Sequence, residues 1–227
     1  MWVERYGALQ RSGTIAGDEL AVVIERILSP LGRRLDRSTP IVDARLADGT
    51  RVCAVLAPIS LDGTTLSLRR FRAEPLPLSA FLDERGDGHE ALLDEVLRRR
   101  LNIVVSGATS SGKTSLLGSL LTLVDGGERI ITMEDTAELA PPRGNLVRLE
   151  ARPASIDGTV AIPLERLLHT ALRLRPDRLV VGEVRGAEVL GLVNALNTGH
   201  DGSLSTVHAN SPLDALHRLE TLVVQAA

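Results

Sequence analysis

The chain has 227 residues, 44% hydrophobic and 24% charged, with a net charge of -3; this is the make-up of a folded chain with ample core, and it excludes fibrous and disordered classes. No stretch reaches the roughly 18 consecutive apolar residues that a membrane span requires, and the N-terminus, Met-Trp-Val-Glu-Arg-Tyr, lacks the basic-then-apolar order of a secretory signal, so a cytosolic address is expected. Charge is evenly spread, with 12 basic and 13 acidic residues in 1–90 against 14 and 16 in 91–227, and aromatics are 2%, so no nucleic-acid partner is expected.

In chain order, Met1 to Leu9 reads as one strand. From Asp18 to Leu31 an apolar stripe (Leu20, Val23, Ile24, Ile27, Leu28, Leu31) follows helical spacing. Three short apolar runs follow, "PIVDARL", "RVCAVLAPISL" and "TLSLRRF", separated by Asp48-Gly49 and Asp62-Gly63, which predicts a three-stranded meander with hairpin turns. Cys53, in an apolar run, reads as a small buried thiol without a role. Residues 1–73 are thus expected to form a small α+β N-terminal domain, a helix on an antiparallel sheet. "AEPLPLSAFL", with two prolines, suits a semi-rigid connector, placed at 74–89.

Beyond it, residues 90–227 alternate. Helix is expected at Glu90–Arg99, Lys113–Val124, Pro163–Leu174, Ala187–Asn197 and Pro212–Val224. Strand is expected at Asn102–Ser106, Arg129–Met133, Leu146–Glu150, Arg178–Gly182 and Ser203–Val207. Apolar strands alternating with helices predict a parallel sheet covered on both faces. The closing "RLETLVVQAA" is helical with no stop signal, the pattern of a fragment.

Of the 26 basic residues, Lys113 is the one lysine, marking a place where a compact ammonium is needed. It stands in "GATSSGKT", which fits G-x-x-x-x-G-K-[ST] between an apolar strand and a helix. In such a loop the backbone of Gly107, Ala108, Thr109, Ser110, Ser111 and Gly112 curls around phosphate oxygens. Lys113 reaches the terminal phosphates, the Thr114 hydroxyl ligates Mg²⁺, and Ser115 continues the helix N-terminus. The alternative is a Gly-Ser loop that merely caps a helix.

Turnover needs a carboxylate near the terminal phosphate. "ITMEDTAEL" places Glu134 and Asp135, and "VVGEV" places Glu183, just past strand C-terminal ends, where open α/β sheets put their sites. Either acid could instead cap the segment after it. His200 and His208, eight apart, fit no zinc pattern; they read as polar sensors or as surface histidines. His89, His169 and His217 lie in ordinary contexts.

The strings "GATSSGKTSLL", "ITMEDTAEL", "NLVRLEAR", "ALRLRPDRLVVGEVRGAEVL" and "NTGHDGSLSTVHANSPLDALHRLE" together resemble the type II/type IV secretion ATPase superfamily and, within it, the tight-adherence (Flp) pilus assembly branch. The likeness extends over nearly the whole chain and implies a P-loop RecA-like core. It makes Gly107–Thr114 the Walker A loop, Glu134 and Asp135 part of the Asp box, Glu183 the end of a Walker B strand with Gly182 in the usual Asp place, and His200 and His208 the His box, as γ-phosphate or interface sensors. Between the acids, Glu183 is assigned to Mg²⁺ through water and Glu134 to the attacking water, with the reverse open.

The resemblance further implies ATP as ligand, a homo-hexamer, an inner-membrane pilus or secretion platform as partner, and a peripheral place at the cytoplasmic face of that membrane. Arg69, Arg148 and Arg152 match its outlying arginines, which in other P-loop enzymes are worth about 10³ to 10⁵ in rate; each also fits a wet strand face. Relative to the family, the chain begins at the second N-terminal domain and stops just after the His box. The expected function is an ATPase motor subunit of a pilus or secretion machine. A nucleotide-gated scaffold with little turnover and a nucleic-acid-stimulated motor are the alternatives.

Overall fold

Residues 1–5, 8–70, 74–82, 88–141, 144–152 and 160–227 are described by a computed structural model. Contacts divide the chain into two units, Met1–Phe71 and Arg72–Ala227. The boundary expected at residue 73 lies outside the described residues.

Instead of one strand over residues 1–9, β1 (Trp2–Arg5) and β2 (Ala8–Arg11) pair antiparallel as a two-stranded sheet of their own. Both are almost wholly exposed, so no core face recruits them, and pairing with each other satisfies their backbone groups. Helix α1 covers Gly17–Leu28, and Ser29–Leu31 tightens into a 3₁₀ turn, because Pro30 has no N–H to continue the α pattern. The stripe buries Ile24 and Leu28 against Val42, Val52 and Ala54 of an antiparallel sheet made of β3 (Ile41–Arg45), β4 (Arg51–Val55) and β5 (Thr65–Arg69). The connections are longer than the tight turns expected at the two Asp-Gly pairs. In the first, the Asp48 carboxylate accepts the Thr50 N–H at 2.9 Å and holds a loop open over 46–50. Cys53 is half-buried on β4, and burial pushes its thiol pKa up.

In the second unit β6 (Ile103–Gly107), β10 (Leu204–His208), β9 (Arg178–Val181), β7 (Ile130–Glu134) and β8 (Leu146–Glu150) lie side by side in that order, every neighbouring pair parallel. Successive residues face opposite sides. Ile130, Val180 and Leu204 pack with Leu117, Leu120 and Leu121 of α3 (Lys113–Leu123) and Leu97 of α2 (His89–Arg98). Ile131, Leu179 and Val181 join α4 (Leu164–Ala171), α5 (Glu188–Asn197) and α6 (Pro212–Ala226) in a second cluster. With helices on both faces β7 and β9 are buried throughout, which is why their sequences show no polar alternation.

Part of the expected connector belongs to this packing. Leu78–Phe81 forms a 3₁₀ turn, Leu78 enters the α3 cluster, and Ser119 Oγ donates to the Leu76 carbonyl at 2.6 Å. Its residues 83–87 lie outside the described residues. At the N-terminal end of β9, Arg178 is 1% exposed. It pairs with Glu128 at 2.8 Å and donates to the carbonyls of Leu97 (2.7 Å) and Gly202 (3.3 Å). Among the described residues no helix is long and apolar enough to cross a membrane.

Candidate functional site

β6 ends at Gly107 and α3 starts at Lys113; between them Ser110 (φ +60°) and Gly112 (φ +91°) turn the backbone through left-handed conformations. Lys113 is buried. Its Nζ donates to the carbonyls of Gly107 (3.0 Å) and Ala108 (2.8 Å) and lies 3.2 Å from His208 Nδ1. Burial lowers the lysine pKa, and the charge of Glu183 works against that.

The first turn of α3 carries no acidic residue and its N-terminus has no side-chain cap. Each of the other described α-helices has an Asp or Glu there, namely Asp18, Glu90, Glu165, Glu188 and Asp214. The orphan N–H groups and the positive dipole end of α3 are therefore left for an anion from outside the chain. Thr114 is half-buried and Ser115 exposed in that same turn, while Thr109, Ser110 and Ser111 lie exposed on the loop.

Glu134 closes β7 and is 3% exposed. Its Oε1 accepts N–H bonds from Glu138 (2.9 Å) and Leu139 (3.1 Å), so it braces the following segment as well as facing the site edge. Burial pushes its pKa up to about 7, outweighing those two bonds and the nearby charge of Arg148. Glu183 follows β9 and both its oxygens are engaged. Oε1 is 3.0 Å from His208 Nε2 and Oε2 is 3.2 Å from Arg185 Nη2. Since the Lys113 ammonium can only donate, His208 accepts at Nδ1 and its Nε2–H points to Glu183. The same Arg185 nitrogen is 3.2 Å from Asp135 Oδ2.

Lys113, His208, Glu183, Arg185 and Asp135 thus form a polar chain. It crosses the C-terminal edge of the sheet in the spatial order β6, β10, β9, β7. His200 is not brought to it. That residue precedes β10, at the opposite edge, with Nδ1 3.2 Å from the Ala195 carbonyl. Arg148 is exposed on β8. Arg152 bridges to Ile162 and donates to the Val160 carbonyl at 3.2 Å. Arg69 ends β5 in the first unit.

Two residues were absent from the sequence-based list, Arg185 and the buried Glu188 behind it. Glu188 Oε1 accepts the N–H groups of Arg185 (2.6 Å) and Gly186 (2.8 Å). The one signal for it in sequence is an acid in the first turn of α5.

The chain matches the family model "Type II/IV secretion system protein" over residues 1–227. It is 43% identical over 232 residues to a Mycobacterium tuberculosis chain with the provisional name conjugal transfer protein, covering 98% of this chain and 66% of that one. The chain thus spans about two thirds of the length of this relative. It is 32% identical over 233 residues to the conjugal transfer protein TrbB of Rhizobium radiobacter, covering 100% of this chain and 70% of that one. Among solved structures, the Legionella pneumophila ATPase DotB superposes with a TM-score of 0.70 at 22% identity, covering 97% of this chain and 62% of that one. The VirB11 ATPase of the Brucella suis type IV secretion system gives 0.55 at 24%, covering 99% and 73%. At these identities the structures speak for the fold, a P-loop RecA-like parallel sheet preceded by an α+β part, as the residues implied. By the match along its entire length, the chain belongs to the type II/IV secretion system protein family.

Proposed function

We propose that the protein is an ATPase subunit of a pilus or type II/IV secretion machine, of the tight-adherence branch that its motif strings resemble. It would work as a homo-hexamer at the cytoplasmic face of a membrane platform. The observation that carries the reading is the pairing of the one lysine with the one described α-helix whose first turn holds no acid. Both sit at the sheet edge that also gathers Glu134 and Glu183.

The residues present fit a triphosphate and Mg²⁺. A magnesium ion favours hard oxygen donors, and the Thr114 hydroxyl with the Glu183 carboxylate, through water, would hold it. When bound it would neutralise charge developing on the phosphates. The protein's own part is described by its contacts. The 107–112 loop and the α3 N-terminus receive phosphate oxygens, and Lys113 leaves its own loop carbonyls to meet the terminal phosphate. His208, tied to both Lys113 and Glu183, reports that departure to the neighbouring strand end. Glu134, in its ionised form, orients or deprotonates the attacking water.

ATP hydrolysis by the protein, measured beside Lys113→Ala and Glu134→Gln, tests this. Turnover abolished in both is the expected result, and equal rates in all three contradict it.

A further inference from the structure

We propose that Arg185 is a positioning residue. It fixes the Glu183 carboxylate and ties it to Asp135, so that the acidic ends of two neighbouring strands meet a bound triphosphate as one piece. The inference rests on the ATPase reading above and adds to it a residue that none of the motif assignments includes.

One guanidinium nitrogen, Nη2, lies 3.2 Å from Glu183 Oε2 and 3.2 Å from Asp135 Oδ2. These acids follow β9 and β7, which are neighbours in the sheet. Without a cation between them the two carboxylates would repel, and Glu183 would keep a single tether, His208 at Oε1, about which to rotate. The side chain of Arg185 is 58% exposed, and ion pairs so open to water add little to stability. Its backbone is nonetheless pinned. The buried Glu188 carboxylate accepts the N–H groups of Arg185 and Gly186 through one oxygen, which sets the direction from which the guanidinium reaches across. A side chain that is nearly neutral for folding, fixed at its base by a buried acid and bonded to two acids of the site edge, has the geometry of an orienting device. Misplacing a reacting group by about 1 Å can lower a rate by about 100-fold.

The test compares wild type, Arg185→Ala, Arg185→Lys, Asp135→Asn and the Arg185→Ala/Asp135→Asn double variant. Three quantities are read: kcat with Mg-ATP, the affinity for a fluorescent ADP analogue, and amide hydrogen exchange at residues 135–137 without nucleotide. For Arg185→Ala the expectation is an affinity within about twofold of wild type, a kcat lower by about 10-fold or more, and faster exchange at 135–137. Arg185→Lys should recover part of kcat, because a single ammonium reaches one carboxylate at a time. The double variant should be no slower than Arg185→Ala, since both changes remove one shared contact. A kcat within about twofold of wild type in Arg185→Ala, or a parallel loss of kcat and affinity, overturns the inference. A wild type that binds the analogue and does not turn over ATP instead overturns the ATPase reading. Exchange at 135–137 then decides for Arg185, and unchanged exchange sinks it.

Discussion

The backbone of Gly182 lies directly against the side chain of Glu134: a Cβ at position 182 would stand 2.7 Å from Glu134 Cγ and 3.5 Å from its Oε1. Gly182 has no room to retreat, because its N–H donates to the Met133 carbonyl (2.9 Å) and its own carbonyl accepts from Thr206 Oγ1 (2.7 Å). The small residue at position 182 is therefore a clearance for the buried acid. Gly182→Ala is expected to turn Glu134 out of its place, to destabilise the fold by about 1–3 kcal/mol, and to abolish ATP turnover while ADP affinity persists. Paired turnover and calorimetric measurements check it, and wild-type turnover in this variant would refute it.

Glu134 also sets a pH dependence. Its native pKa is raised from 4.5 to about 7, so the folded protein holds this proton more tightly than the unfolded chain. The residue favours folding most below pH 4.5 and loses about 3 kcal/mol of that contribution by pH 7, beyond which the effect is flat. Glu134→Gln keeps an oxygen for the N–H groups of Glu138 and Leu139 and does not titrate. In nucleotide-free and metal-free protein, the stability of this variant relative to wild type should rise steadily across that window. Melting temperatures at several pH values would show it, and a constant offset would contradict the burial described for Glu134.

Lys113 is expected to be irreplaceable even by the residue this chain otherwise prefers. A guanidinium is too large for a space bounded by the Gly107 and Ala108 carbonyls and His208. Lys113→Ala and Lys113→Arg should both weaken nucleotide binding by about 10- to 100-fold, the worth of charge-assisted hydrogen bonds. Titration with a fluorescent nucleotide tests this, and near-native affinity in Lys113→Arg would show that charge alone suffices.

At the far edge of the sheet, Arg178→Met should lower stability by about 1–3 kcal/mol. It removes the donor to the buried carbonyls of Leu97 and Gly202 and one of the two arginines paired with Glu128, which keeps Arg100 at 3.2 Å. Nucleotide affinity should hold, because the site occupies the opposite strand ends. Urea unfolding and a binding titration separate the two outcomes.

The core of the fold was legible because local signals agreed there. Buried strands such as β7 and β9 read as mostly apolar runs without alternation, and the 107–112 loop sits between a strand and a helix that are each recognisable alone. The N-terminal pairing of β1 with β2 was not legible, since exposed Trp2 and Leu9 give no one-sided pattern. The stop of α1 at Leu28, three residues short of where hydrophobic spacing alone extends the stripe, depended on Pro30. At the site, motif reading reached Lys113, Glu134, Glu183 and His208, which carry their own positional signals. It did not reach Arg185, because one arginine among 25 has no mark until the fold sets Asp135 and Glu183 on either side of it. It also grouped His200 with His208, although the strand between them carries the two to opposite ends of the sheet.

Among the described residues β6 is bonded along one side only, to β10, and Val104 on it is 40% exposed. The 107–112 loop, proposed above to receive phosphate, therefore hangs from one of the two edge strands of this sheet, β8 being the other. A ligand that binds only the folded form adds RT ln(1 + [L]/Kd) to its stability, and that increment is felt most where opening is easiest. Occupancy of the loop would work as a fastener at the rim, so that the strand's resistance to fraying rises and falls with each filling and emptying of the site.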